Sequence, residues 1–165
     1  MANLLSNPSF EEGDESGLLN WRFSGPPELR AATLAAPEAH TGEKAIVFTR
    51  MRGSLAWTSK SMPVRANVTY GLSWWTKMSG QVPWHWSYYA EHWVRVFFLN
   101  ESGRQVGREE RRIRCIGSEG WVQAFFKCRA PAEASAARVQ FFFCCDIDTD
   151  GQALIDDVSF EEIGP

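Results

Sequence analysis

No apolar run in the 165-residue chain approaches the roughly 20 residues that a bilayer-spanning helix needs, so no helical membrane segment is expected. The opening Met1-Ala2-Asn3-Leu4-Leu5 lacks the basic start, apolar stretch and small-residue cleavage site of a signal peptide. The expectation is a cytoplasmic chain or a mature module cut from something larger. A basic excess is missing too: 17 Lys and Arg stand against 20 Asp and Glu, for a formal net charge of −3. Nucleic-acid binding through a bulk positive field is thereby disfavoured. Cysteine is sparse, confined to Cys115, Cys128, Cys144 and Cys145, and with two of these adjacent and no second CxxC the spacing does not make a zinc ribbon. A vicinal bridge would be strained, while a Cys115–Cys128 disulfide and free buried thiols are both compatible with the sequence. Helical periodicity is also scarce, since no window of about eleven residues keeps an apolar stripe at three-four spacing.

What the chain does have is aromatic residues: 8 Trp, 3 Tyr and 11 Phe, 13% of the total. With 44% hydrophobic and 22% charged residues it can bury an ordinary core in one domain. Alternating stretches bounded by turn residues predict strands over 28–34, 45–49, 54–61, 69–77, 93–99, 106–115, 121–128, 137–146 and 153–161. Short strands at near-regular spacing without helical crossovers are the pattern of an all-β antiparallel sandwich. Asn100-Glu101-Ser102-Gly103 reads as a hairpin loop, and Asp148-Thr149-Asp150-Gly151 as the turn before the last strand. The long irregular connection 78–91 contains Trp84, His85, Trp86, Tyr88 and Tyr89, and a loop so aromatic invites a functional explanation.

Period-two geometry sorts the strands by face. Tyr70, Leu72, Trp74 and Thr76 read as core, with Ser73, Trp75 and Lys77 opposite. Val94, Val96 and Phe98 read as core, leaving Trp93, Arg95 and Phe97 together; Val139, Phe141 and Phe143 are core, leaving Arg138, Gln140 and Phe142. The expectation is that Trp75, Trp93, Arg95, Gln140 and Phe142 share one non-core face. Such a mixture suits sugar, because the apolar face of a pyranose stacks on indole while its hydroxyls need planar partners such as Arg and Gln. The alternative for any single Trp is packing beneath a loop. The run 104–114 holds five Arg against two Glu; it could meet uronate or sulfate groups, or simply protect an edge strand with charge.

A recognisable pattern then runs through the chain: Asn3-Leu4-Leu5-Ser6-Asn7-Pro8-Ser9-Phe10-Glu11-Glu12-Gly13, Trp21, His40-Thr41-Gly42-Glu43-Lys44-Ala45, Tyr70-Gly71-Leu72-Ser73-Trp74-Trp75-Thr76-Lys77, Gly120-Trp121-Val122 and Ile155-Asp156-Asp157-Val158-Ser159-Phe160. In this order the segments resemble the jelly-roll carbohydrate-binding modules attached to xylanases, glucanases and other polysaccharide-degrading enzymes. The resemblance implies a galactose-binding-like jelly roll, one module over 1–165, whose concave face takes a polysaccharide or oligosaccharide. An aromatic at the position of Trp75 commonly stands on that face in such modules. It also implies a structural Ca2+ remote from the ligand, with carboxylate oxygens from Glu11 and Asp156 and carbonyls from Ser9 and Lys44. Calcium's demand for roughly six to eight hard oxygens is consistent with this set; turn-capping or solvated acids are the other reading of Glu11 and Asp156. A secreted or extracellular setting, with a covalently linked catalytic domain, follows from the same resemblance.

The functional expectation is noncatalytic glycan binding by Trp75, Trp93, Arg95, Gln140 and Phe142, with Trp84, Trp86, Tyr88 and Tyr89 walling the groove or capping a chain end. Neither nucleic acid nor membrane is expected as a partner. One rival is a polysaccharide lyase using His85, His92, Tyr88, Tyr89, Arg95 and Gln140 for proton transfer and charge neutralisation. Another is a protein-binding or adhesion module with the loop aromatics as anchors.

Overall fold

The computed structural model describes residues 2–14, 17–27, 38–49, 53–79, 90–113, 120–145 and 152–164. The alternation of apolar and polar residues becomes strands β1 (Gly13–Asp14), β2 (Gly17–Leu18), β3 (Trp21–Ser24), β4 (Ile46–Thr49), β5 (Gly53–Ser59) and β6 (Met62–Pro63) in the first part of the chain. β7 (Thr69–Ser79), β8 (Ala90–Leu99), β9 (Gln105–Arg112), β10 (Val122–Arg129), β11 (Ala136–Cys145) and β12 (Gln152–Gly164) follow. β1 pairs with β2; a four-stranded sheet runs β10-β7-β12-β4; a six-stranded sheet runs β3-β5-β11-β8-β9, with β6 paired to β11. Every pairing is antiparallel, so the expected β-sandwich is what forms. The short strands β1, β2, β3 and β6 were not expected, and the predicted strand 28–34 lies outside the described residues.

The sequence's division into faces holds strand by strand. Leu72, Trp74, Val94, Val96, Phe98, Val139, Phe141 and Phe143 are buried, while Trp75, Trp93, Arg95, Gln140 and Phe142 are half-buried. The two sheets meet through rings: Phe48 of β4 stacks on Phe143 of β11 at 5.4 Å, and Trp74 of β7 meets Phe141 of β11 edge-on at 6.1 Å. Burial of such large apolar side chains drives the two layers together at about 25 cal/mol per Å² removed from water. The β8–β9 hairpin closes at the expected loop, where Gly103 takes φ +77° and donates its N–H to the Asn100 carbonyl at 2.8 Å.

The opening motif does structural work. Asn3 donates Nδ2 to the Val158 carbonyl and accepts the Phe160 N–H, at 2.9 and 3.0 Å, tying the first segment to the last strand. Asn7, at φ +52°, donates Nδ2 to the carbonyls of Glu12 and Leu19 and accepts the Glu12 N–H. Trp21 donates Nε1 to the Asn7 carbonyl at 3.0 Å while packing against Phe10. Of the two readings for Cys128, the structure shows the free thiol, buried and pushed up to about 12 chiefly by that burial; Cys115 lies outside the described residues.

His92 is buried at the start of β8, its ring 4.2 Å from that of Phe143, and burial, aided by the Arg112 charge, pulls its imidazole from 6.5 to about 4. The unfolded chain therefore takes up a proton that the folded chain refuses. Stability from this residue is complete above pH 6.5 and is lost as pH falls from 6.5 toward 4, up to about 3 kcal/mol. Asp156, pushed by burial from 3.8 to about 6, works in the opposite sense, its contribution fading as pH rises through 6. Urea denaturation at about pH 7.5 and 4.5 of wild type and His92→Gln separates the two: the variant should lose less stability on acidification, and equal losses would refute the assignment to His92.

Candidate functional site

Directly opposed residues of an antiparallel pair lie on the same face, so the register writes out the outward face of the six-stranded sheet. One row crosses all of its main strands: Arg22 of β3 opposes Thr58 of β5, Thr58 opposes Gln140 of β11, Gln140 opposes Arg95 of β8, and Arg95 opposes Glu110 of β9. The row is hydrogen-bonded along most of its length. Gln140 donates Nε2 to Thr58 Oγ1 at 3.0 Å and accepts from Arg95 Nη1 at 3.3 Å, while Arg95 donates Nε to Glu110 Oε2 at 3.2 Å. Arg108 joins it through Nη2 to Glu110 Oε1 at 3.5 Å. With both ends of its amide engaged, Gln140 is held in one orientation, which is preorganisation of a binding group.

Aromatic rows flank the polar one. On one side Phe142 opposes Trp93 and Ala56; on the other Phe97 opposes Arg138 and Arg108. The Arg95 guanidinium lies 4.2 Å from the Phe142 ring centre, so Phe142 supports a fixed cation rather than offering an open platform. Over this face is a cavity of about 410 Å³ lined by Arg22, Ser24, Thr58, Phe97, Leu99, Gln105, Arg138 and Gln140. The structure thus brings Trp93, Arg95, Gln140 and Phe142 to one surface, as expected.

Trp75 is not on it. Its strand, β7, belongs to the four-stranded sheet, so its outward side chain stands on the opposite exterior of the sandwich. Period two assigns a residue to the core or to the outside but not to one of two outsides, and the expectation of a single shared face failed there. The His40 ring is stacked on Trp75 at 4.0 Å and 15°, with Trp121 edge-on to His40 at 5.4 Å. His40 is held in turn by Asp157, Nδ1 to Oδ2 at 2.6 Å. Trp84, Trp86, Tyr88 and Tyr89, with His85, lie outside the described residues.

No protein-family profile matches the chain, and no curated protein matches its sequence. Solved structures do. A family 61 carbohydrate-binding module, TmCBM61, in complex with β-1,4-galactotriose is similar over 99% of this chain and 100% of that one, with a TM-score of 0.64 and 19% identity. The chain shares the jelly-roll sandwich fold of that module. A cyclase from Fischerella sp. TAU, in complex with 4-(1H-indol-3-yl)butan-2-one, shares the fold over 99% of this chain and 98% of that chain, at TM-score 0.67 and 11% identity. The enzymatically active domain of bacteriophage CBA120 tailspike protein 4 matches at TM-score 0.67 and 15% identity, but this chain, 98% covered, spans only 21% of that one. At these identities the likeness establishes the jelly-roll sandwich.

Of the four residues expected to hold calcium, Glu11 and Asp156 accept hydrogen bonds from different parts of the segment 40–44, which includes Lys44. Glu11 Oε1 accepts the N–H groups of Glu43 and Lys44 at 3.0 and 2.9 Å, and Lys44 Nζ donates to the carbonyls of Glu11 and Gly13. Asp156, fully buried, accepts the N–H groups of His40, Thr41 and Asp157, and the Ser9 side chain bonds to Asp157. A register shift between Asp156 and Ser159 and φ +44° at Asp157 mark the bulge that aims these neighbouring acids. Among the described residues no group of three or more His, Cys, Asp or Glu could hold a metal ion. A cation here would depend on two carboxylates and backbone carbonyls.

Sequence reasoning missed Arg22, Ser24, Thr58, Leu99 and Gln105 as lining residues. The signal for Arg22 and Ser24 was present in Trp21-Arg22-Phe23-Ser24, whose alternation is too short to count as a strand until Trp21 and Phe23 are seen packing inward.

Proposed function

We propose that the outward face of the six-stranded sheet binds a stretch of glycan chain without altering it, and so keeps a linked, secreted polysaccharide-degrading enzyme near its substrate. The observation that carries this reading is the Thr58–Gln140–Arg95–Glu110 row, a fixed line of hydrogen-bonding groups whose Thr58 and Gln140 line a cavity with Phe97 on its wall. Fixed donors and acceptors select hydroxyl groups, and an aromatic edge takes the apolar faces of sugar rings. The cavity volume falls within the range of about 300–1,000 Å³ usual for small-ligand sites. Tethering raises effective concentration without any chemistry in the module.

The cyclase likeness keeps a catalytic reading in view, but the described lining residues include neither a carboxylate nor an imidazole, and Glu110 of the adjoining row is engaged by Arg95 and Arg108. Proton transfer near neutral pH would need one within hydrogen-bond reach. The test is isothermal titration of the whole chain against soluble oligosaccharides, β-1,4-galactan and xylan fragments included. Saturable binding with no change in the oligosaccharide is expected. Turnover of any sugar, or no binding across plant, algal and microbial glycans, would overturn the reading.

We also propose structural calcium at Glu11 and Asp156 with the carbonyls of Ser9 and Lys44. In its support, Asp156 is a fully buried carboxylate satisfied only by amide N–H groups, with no cationic partner among the described residues, and a buried charge ordinarily has one. When bound, the ion would supply that counter-charge and tie the first segment to the last strand.

A further inference from the structure

The cavity's charge is at odds with that of the chain. The protein carries a formal net charge of −3, yet among the described residues the ionisable groups lining the cavity are Arg22 and Arg138, set among Ser24, Thr58, Gln105 and Gln140. The two arginines flank Gln140: Arg138 lies two residues before it on β11, and Arg22 lies beyond Thr58 in the same cross-sheet row. Both are exposed at the surface. Glu110, an acid of this face, is already shared by Arg95 and Arg108 at 3.2 and 3.5 Å. Arg138 is steadied by Nε donating to Ser61 Oγ at 2.7 Å, which leaves its terminal nitrogens for a ligand, and neither cavity arginine has a carboxylate partner among the described residues.

We infer that the glycan held here carries negative charge, and that a carboxylate or sulfate ester on the sugar is received between Arg22 and Arg138. The inference rests on the glycan-binding reading above and specifies its substrate class. Guanidinium groups present paired N–H donors in a rigid fork that matches the oxygens of such anions. Gln140, Gln105 and Thr58 then take the hydroxyl groups around the anion. The arginine-rich run 104–114 contributes at the edge instead. Its residues 105–112 form β9, the edge strand of its sheet, where Arg108 is paired with Glu110 and Arg111 lies over the Phe126 ring.

The experiment is isothermal titration and affinity gel electrophoresis of the whole chain with polygalacturonate, carrageenan, neutral β-1,4-galactan and xylan. Wild type is compared with Arg22→Gln and Arg138→Gln across about 50 to 500 mM salt. At least one anionic polymer should bind tenfold or more tightly than either neutral one. Each variant should weaken that binding at least tenfold and flatten its salt dependence, with melting temperature unchanged because both side chains are exposed. Preference for polygalacturonate identifies the carboxylate, and preference for carrageenan the sulfate ester. Binding of neutral glycans that neither variant affects would overturn this inference and leave the glycan reading standing; absence of binding to any of the polymers would end both.

Discussion

Asp156→Ala is expected to remove about 3–6 kcal/mol of stability, enough to leave much of the chain unfolded. The carboxylate is fully buried and accepts three backbone N–H groups, those of His40 and Thr41 on Oδ2 at 2.8 and 3.1 Å and that of Asp157 on Oδ1 at 2.7 Å. Alanine leaves all three part-buried donors without their acceptor, at about 1–2 kcal/mol for each. A domain of this size has only about 5–15 kcal/mol in total. Asp157→Ala is the control on the same bulge. It breaks side-chain bonds to His40 and Thr41 at a half-buried position and should cost about 1 kcal/mol. Urea denaturation followed by tryptophan fluorescence measures both, and a loss below about 1 kcal/mol for Asp156→Ala would show that the segment 40–44 does not depend on this carboxylate. The same preparations test the proposed ion. Calcium at about 100 times its Kd should stabilise wild type by about 2.7 kcal/mol, whereas Glu11→Ala should lose that gain, and no rise in melting temperature over a chelator-treated sample would refute the site.

Gln140→Ala and Trp75→Ala should have opposite signatures. Gln140 stands at the centre of the hydrogen-bonded row and lines the cavity. Truncating it removes a fixed amide and releases Thr58 and Arg95 from their shared partner. Affinity for the bound glycan should fall about thirtyfold, equivalent to about 2 kcal/mol, while the fold survives because the side chain is only half-buried. Trp75 lies on the other sheet beneath His40. Its removal should cost about 1–2 kcal/mol of stability through the lost stack and change glycan affinity by less than about twofold. Isothermal titration with one glycan and both variants decides the matter. If Trp75→Ala abolished binding and Gln140→Ala did not, the ligand would lie on the four-stranded sheet.

The division between what was legible and what was not follows from the range of each interaction. Alternation along 69–77, 93–99 and 137–143 sorted core from exterior correctly, since whether a side chain points to oil or water depends on the pleat of its own strand. Arg95, Gln140, Trp93 and Phe142 were placed together on the same grounds. The opening Asn3 and Asn7 were recognisable as a pattern, but their role, carrying hydrogen bonds to Val158, Phe160, Glu12 and Leu19, could be seen only once both ends of the chain met.

The amino-acid sequence by itself determined the class of fold and, for each long strand, which residues face inward, because hydrophobic burial with period two is a local property of the chain. Tertiary structure alone decided which strands share a sheet. It therefore separated Trp75 from Gln140, covered one with His40, and drew Arg22 from an unrecognised strand to the cavity beside Arg138. Strand order is settled by pairings between residues far apart in sequence, and nothing local to Trp75 or Arg22 records which neighbour lies across the hydrogen bonds.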